Sequence, residues 1–308
     1  MSKQRSAFSQ YCVYLVVRAV VALLQALPFG WCDAIANSLA WLLYKVDRRH
    51  RDVARDNLRH AFGEQLSGPQ LERTIKQVYR HFARMLLEIL HAPRRLRTHN
   101  WRRHIELVGG RQIVDCLLSD RPLLIVTGHF GNWEIAGYAL GLLGFRTYAI
   151  ARTLDNPYVD KFLRQFRENT GQRLLAKKGD FDQMQEILEA GGVIATLADQ
   201  DAGQRGLYVD FFGRPASTHK AIALMALEYH VPVVVVTVPN QGQPLNYSIR
   251  LQELIRPEDY ADRPGAVKTL TERYTKALER GIRQAPAQYF WLHRRWKHQP
   301  AAKRRVAG

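Results

Sequence analysis

An α/β fold is predicted, with a largely parallel or mixed central sheet flanked by helices and an N-terminal helical membrane-anchoring segment. Three observations predict it. Residues 1–92 carry apolar side chains mostly at helical spacing. From about residue 104, short apolar runs alternate with helical patterns, the order of an α/β layer structure. The 308 residues, 46% of them hydrophobic, suffice to bury such a core and exclude global disorder.

The first element is the run Tyr11–Leu27, preceded by Lys3 and Arg5 and interrupted by Arg18. Such a helix extends about 25 Å against a hydrocarbon core of ~30 Å. It reads as a marginal span or an interfacial helix. Ala34-Ile35-Ala36 mimics a signal-peptidase site, but it comes late, after Pro28, Trp31 and Asp33. The run is therefore read as a retained anchor. Helices follow over Asp33–Val46 and, after the start signal Ser67-Gly68-Pro69, over Leu71–Leu90, with the basic stretch Lys45–His60 closed by Phe62-Gly63 between them. Pro93 is expected to stop the last of these.

Pro122–Thr127 is a continuous apolar run, as in a strand buried on both faces. Further strands are expected at Thr147–Ala151, Val193–Leu197, Val233–Val238 and Tyr247–Leu251. Helices are expected at Trp133–Leu143, Val159–Asn169, Phe181–Glu189, Ala221–His230 and Val267–Gln284. Residues 1–45 form the anchoring unit. Residues 46–308 form the α/β domain, helical over 46–103 with a sheet-containing core over 104–298.

Lys and Arg total 45 against 28 Asp and Glu, a formal charge of +17, which attracts polyanions: nucleic acid, anionic lipid or an acidic carrier protein. Two basic runs stand out, Arg94–Arg103 and His293–His298, and both are expected to touch anionic head groups or an acidic carrier. Cys12, Cys32 and Cys116 lack CxxC or zinc spacing and read as free thiols of a reducing compartment.

Chemistry is expected beyond the carboxyl ends of the strands. There lies Thr127-Gly128-His129-Phe130-Gly131-Asn132-Trp133-Glu134. His129 leaves the strand at its tip, and a turn containing Gly128 and Gly131 brings Glu134 back beside the imidazole. A carboxylate there keeps one ring nitrogen protonated and the other basic. GxSxG is absent, so the pair suits a base that activates a substrate hydroxyl without a covalent enzyme intermediate. The donor for the developing oxyanion is left open between amides of Gly128–Asn132 and Arg167.

GHFGNWE resembles the signature of the bacterial lipid A late acyltransferases, the lauroyl/myristoyl transferases of the glycerolipid acyltransferase superfamily. Arg48–Asn57 with Phe62-Gly63, the block Ala151–Pro157, Asp199-Gln200-Asp201 with Val209–Thr218, and Ala285–Lys297 resemble further family blocks in the same order. The resemblance implies an α/β acyltransferase with His129 and Glu134 as catalytic pair. It implies substrate-binding roles for Arg167 and Asp199, and weaker ones for Arg152 and Asp201. It implies acyl carrier protein as donor, a hydroxyl of a phosphorylated membrane glycolipid as acceptor, no metal or organic cofactor, and no nucleic-acid partner. The expected location is the inner membrane, with the catalytic domain on its cytoplasmic face and against an anionic surface. Asp210, His219, Lys220 and Met225 depart from the family pattern near the acceptor-side block, which bears on acceptor identity. Three other readings stay open: a mannosylated phosphoinositide as acceptor, a thioester hydrolase, and a basic nucleic-acid-binding protein.

Overall fold

The computed structural model describes residues 6–119, 121–151, 153–176, 181–260 and 263–300. Four helices come first: α1 (Ala7–Ala26), α2 (Cys32–Val46), α3 (Arg48–Phe62) and α4 (Gly68–Arg95). Asp47 caps α3 by accepting the His50 N–H at 3.3 Å. Before α4, the Ser67 N–H donates to Gln70 Oε1 at 2.9 Å, one arm of a capping box. Pro93 does not end α4 but lies inside it, two residues before the last. In the final turn a proline forfeits one hydrogen bond, and packing of Ala92 and Leu96 into the core holds the turn closed.

No residue of α1 is buried, and by length and apolarity it is able to cross a membrane. It also docks at both ends. Asn156 Nδ2 donates to Gln10 O at 2.8 Å, and the Tyr11 ring meets Tyr158 edge-on. Arg18, the charge that interrupts the apolar run, lies 5.2 Å from the centroid of Phe162. At the far end Gln25 Nε2 donates to Leu90 O at 2.9 Å.

The remaining elements are β1 (Ile105–Val108), α5 (Gly110–Leu117), β2 (Leu123–Thr127), α6 (Trp133–Leu142), β3 (Thr147–Ala151), α7 (Pro157–Glu168), β4 (Gln172–Ala176), α8 (Phe181–Glu189) and β5 (Val193–Leu197). They continue with β6 (Leu207–Phe211), β7 (Arg214–Thr218), α9 (Ala221–Glu228), β8 (Val233–Thr237), β9 (Tyr247–Ile255) and α10 (Ala266–Gln284). Seven strands form one sheet in the order β1-β9-β8-β2-β5-β3-β4. Only β8 and β9 pair antiparallel within it. The mixed, largely parallel α/β sheet expected from the sequence is therefore present.

Strand β2 is central, and apolar over Leu123–Val126 because both its faces are covered there. Leu124 and Val126 pack with α9 and α10 side chains such as Ile222 and Leu278. Leu123 and Ile125 pack on the opposite face with Ile113 of α5 and Ile135 of α6. A third cluster joins α2, α3 and α4 to Phe211, Phe212 and Trp291. The two phenylalanines are core residues, at 1% and 4% exposure. Phe212 and Gly213 form the β6–β7 turn, with φ of 54° and 79°, the pair of positive values that a type I′ hairpin turn requires.

Candidate active site

Parallel pairing of β2 with β5 builds the site. Thr127 is in register with Leu197, and the Ala198 N–H donates to Thr127 O at 2.9 Å. Two residues beyond those positions, His129 and Asp199 stand side by side. Asp199 Oδ1 lies 2.8 Å from His129 Nδ1, and Oδ2 accepts the His129 backbone N–H, also at 2.8 Å. An ionised carboxylate only accepts, so Nδ1 carries the proton and Nε2 presents its lone pair. Burial works against the Asp199 anion, but the adjoining His129, its hydrogen bonds and the nearby His293 outweigh it. The carboxyl is held far below the usual range. The imidazole is walled by Trp133, edge-on at a centroid distance of 4.9 Å, and by Phe290 at 6.1 Å.

The two glycines of the turn have steric reasons. Gly131 has φ of 65°, and a Cβ there would sit 1.8 Å from Val238 O. A Cβ on Gly128 would crowd Asp199 Cγ at 3.2 Å. His81 on α4 braces the same turn, with Nε2 3.0 Å from Gly131 O, and burial pushes its pKa down to about 4.

Glu134 was expected to orient the imidazole. The acid bonded to Nδ1 is Asp199, and Glu134 is engaged elsewhere. Its carboxylate takes a two-pronged ion pair from Arg167, with Nε to Oε2 at 2.9 Å and Nη2 to Oε1, and accepts from Trp133 Nε1 at 3.2 Å. The physical reason is strand adjacency. Asp199 ends the neighbouring strand, whereas Glu134 has already turned onto α6, where it faces α7. Asp201 lies beside the site, its Oδ2 2.6 Å from His298 Nδ1 and bonded by the Gly203 N–H at 3.1 Å. Arg152 falls outside the described residues.

His129, Glu134 and Arg167 line one cleft of about 710 Å³, together with Arg164, Gln200 and His219. The cleft shares Trp133, Ala149, Ile150 and Leu197 with an almost wholly apolar cavity of about 110 Å³. That cavity runs between the sheet and helices α5 and α6, past Ala136, Gly137 and Ala139, toward Trp101, Ile113 and Leu117. Small side chains on α6 and at Ala149 and Ala195 leave this space open.

Sequence reasoning missed three contributors. Gln200 places its side-chain Nε2 3.5 Å from His129 Nε2. His293 lies behind Asp199, with Nε2 3.2 Å from the Asp199 carbonyl oxygen and Nδ1 2.6 Å from that of Phe290. Arg295 is 1% exposed and donates to Ser217 O at 2.6 Å, Thr218 Oγ1 at 2.7 Å and Gln200 O at 3.3 Å. The expectation that His293–His298 is a surface run is thereby corrected. Arg294 and Lys297 are exposed, but Arg295 and Trp296 are buried, because a guanidinium can replace water when carbonyls surround it. Arg94, Arg95, Arg97, Arg102 and Arg103 are exposed as expected.

His129 paired with a buried acid, at the sheet's carboxyl edge and beside an apolar recess, is the arrangement of an α/β enzyme site. Comparison with known proteins makes this specific. The family model described as "Bacterial lipid A biosynthesis acyltransferase" matches residues 1–298. The chain belongs to that family and is an acyltransferase. A lipid A biosynthesis lauroyltransferase from Escherichia coli (strain K12) is 25% identical over 287 residues, 91% of this chain and 90% of that one. A lipid A biosynthesis palmitoleoyltransferase from the same organism is 24% identical over 262 residues, 83% and 81% of the two chains. A phosphatidylinositol mannoside acyltransferase from Mycobacterium tuberculosis (strain ATCC 25618 / H37Rv) is 27% identical over 128 residues, 40% of each chain.

Proposed function

We propose that the chain moves a fatty acyl group from acyl carrier protein to a hydroxyl of a lipid A precursor at the cytoplasmic face of the inner membrane. The reading rests on the His129–Asp199 hydrogen bond at the mouth of a cleft that continues into an apolar cavity. Nε2 of His129 takes the proton of the acceptor hydroxyl as its oxygen attacks the thioester carbonyl. Asp199 stabilises the imidazolium that forms. The acyl chain lies along α6 in the apolar cavity. The negative charges of the acceptor's phosphates meet Arg164 and Arg167, the second held flat by Glu134. Glu134 is thus placed on the acceptor side of the reaction, and Asp201 fixes the C-terminal segment through His298.

Relatives that share four-fifths or more of their length with this chain carry lipid A names, whereas the phosphatidylinositol mannoside enzyme shares 40%. A lipid A precursor is therefore favoured over a mannosylated phosphoinositide. Membrane attachment is supported by the length and apolarity of α1, in which no residue is buried. It is supported too by the arginines at its C-terminal end, where Arg94 donates to Gln25 O and Arg95 lies over Phe29. Mass spectrometry of lipids from cells with and without the chain tests the reading. The expected result is a glycolipid heavier by one acyl chain, absent with His129→Ala. Unchanged lipids, or a product surviving that substitution in a folded variant, would refute it.

A further inference from the structure

Attack on a thioester carbonyl places negative charge on its oxygen, and a fixed donor must meet that charge. The turn carrying His129 has little left to offer. The N–H of His129 is given to Asp199 Oδ2, that of Phe130 to Gly128 O at 2.7 Å, that of Gly131 to Gln288 O at 3.0 Å and that of Asn132 to Val238 O at 2.9 Å. Two donors of the Arg167 guanidinium are committed to Glu134.

Among the described residues, the Gln200 amide stands beside the basic nitrogen as a neutral side-chain donor, 3.5 Å from His129 Nε2 and facing the cleft. Its backbone is clamped from behind. Arg295, itself 1% exposed, donates to Gln200 O, and His293 Nε2 lies against the preceding carbonyl of Asp199. A donor so close to the base, on an immobilised backbone, is placed for an oxygen that appears only during reaction.

We propose that the side-chain amide of Gln200 is a catalytic residue, the hydrogen-bond donor that receives the carbonyl oxyanion. The inference rests on the acyltransferase reading above. The acceptor hydroxyl gives its proton to His129 Nε2 and its oxygen bonds to the carbonyl carbon. The carbonyl π pair moves onto oxygen, where Gln200 Nε2–H holds it. When that pair returns, the C–S bond breaks, the thiolate takes the proton from His129, and ester and free thiol leave.

The test uses the full chain in phospholipid vesicles, with lauroyl-acyl carrier protein and a lipid A precursor as substrates. Gln200→Ala is expected to lower kcat by about 10²–10³ with both KM values within about threefold. Gln200→Glu, near in shape but an acceptor only, is expected to be at least as slow. Should the alanine variant misfold, the glutamate variant carries the same comparison. The apparent pKa of the rising pH–rate limb is expected to stay put in Gln200→Ala, because the His129–Asp199 bond is untouched, and to rise in Gln200→Glu, whose carboxylate stands beside Nε2. Wild-type-like kcat, a loss confined to acceptor KM, or a moved pH profile in Gln200→Ala would overturn the role of Gln200 while leaving the reaction standing. A wild-type chain that forms no product would overturn the reaction itself, and the inference with it.

Discussion

Replacing Asp199 by Asn probes the dyad with almost no change of volume. In the native chain one carboxylate oxygen holds the His129 backbone N–H and the other holds Nδ1, each at 2.8 Å. An asparagine has only one oxygen to offer. If it keeps the backbone bond, its NH₂ faces Nδ1, which must then become the acceptor, and the proton moves to Nε2. The ring then points an N–H at the substrate hydroxyl and is no longer a base. Loss of the right tautomer and of the imidazolium's counter-charge has cost a Ser-His-Asp enzyme about 10⁴ in kcat. The same two losses here predict a fall of ~10³–10⁴, or ~4–5.5 kcal/mol of barrier. The assay is single-turnover acyl transfer with lauroyl-acyl carrier protein, with circular dichroism to show the fold intact. A folded Asp199→Asn variant within about tenfold of wild type would refute the assignment of this acid to the imidazole.

Three further outcomes follow from the geometry. Ala136→Leu, which places a larger side chain in the apolar cavity along α6, is expected to shift the accepted acyl chain to shorter lengths, read by product mass; an unchanged distribution contradicts the cavity's role. Glu134→Gln, which breaks the ion pair with Arg167, is expected to cut kcat/KM for the phosphorylated acceptor by at least about 10² while donor KM stays within about threefold. The third concerns pH and stability. His81 is depressed from 6.5 to about 4 by burial, against the pull of its Gly131 bond, so the unfolded chain binds its proton first. Its contribution is whole above about pH 6.5 and declines as pH falls toward 4. One pKa unit is ~1.4 kcal/mol, which sets a ceiling of ~3.5 kcal/mol for this shift. The residue is half-buried rather than sealed in the core, so a loss of ~1–2 kcal/mol is expected in urea titrations between those pH values, flattened in His81→Gln.

Much of this architecture is written in local patterns. The limits of β3, α8 and β5 coincide with those expected from their local patterns, and β2 begins one residue after its apolar run starts. The elements that escape are those whose stability is not local. Strand β1 is four residues with the exposed Glu106 at its second position, and it exists because Ile105–Val108 pairs with Tyr247–Arg250. Edge strand β4, QRLLA, opens with two polar residues, and its local pattern marks no strand. The β6–β7 hairpin lacks the Asn-Gly or Asp-Gly turn signal. Phe212 enters the left-handed region because its ring packs in the core and its N–H meets Glu279 Oε2 at 2.8 Å.

The candidate site was legible in the same uneven way. His129 follows from a strand tip and two glycines, which are local signals. Its acid partner does not, because proximity along the chain favours Glu134 while sheet order favours a residue seventy positions away. Arg295 and His293 sit in what looks like a solvated basic run. Only the convergence of the Ser217, Gln200, Asp199 and Phe290 carbonyls reveals it as an internal clamp.

Purified full-length chain in vesicles, given radiolabelled lauroyl-acyl carrier protein and a lipid A precursor, measures the reaction without cellular substitutes. The dyad and its greasy recess predict label moving into an alkali-labile ester on the glycolipid, and none with His129→Asn. Label appearing only as free fatty acid, or moving equally well without the imidazole, would contradict the assignment.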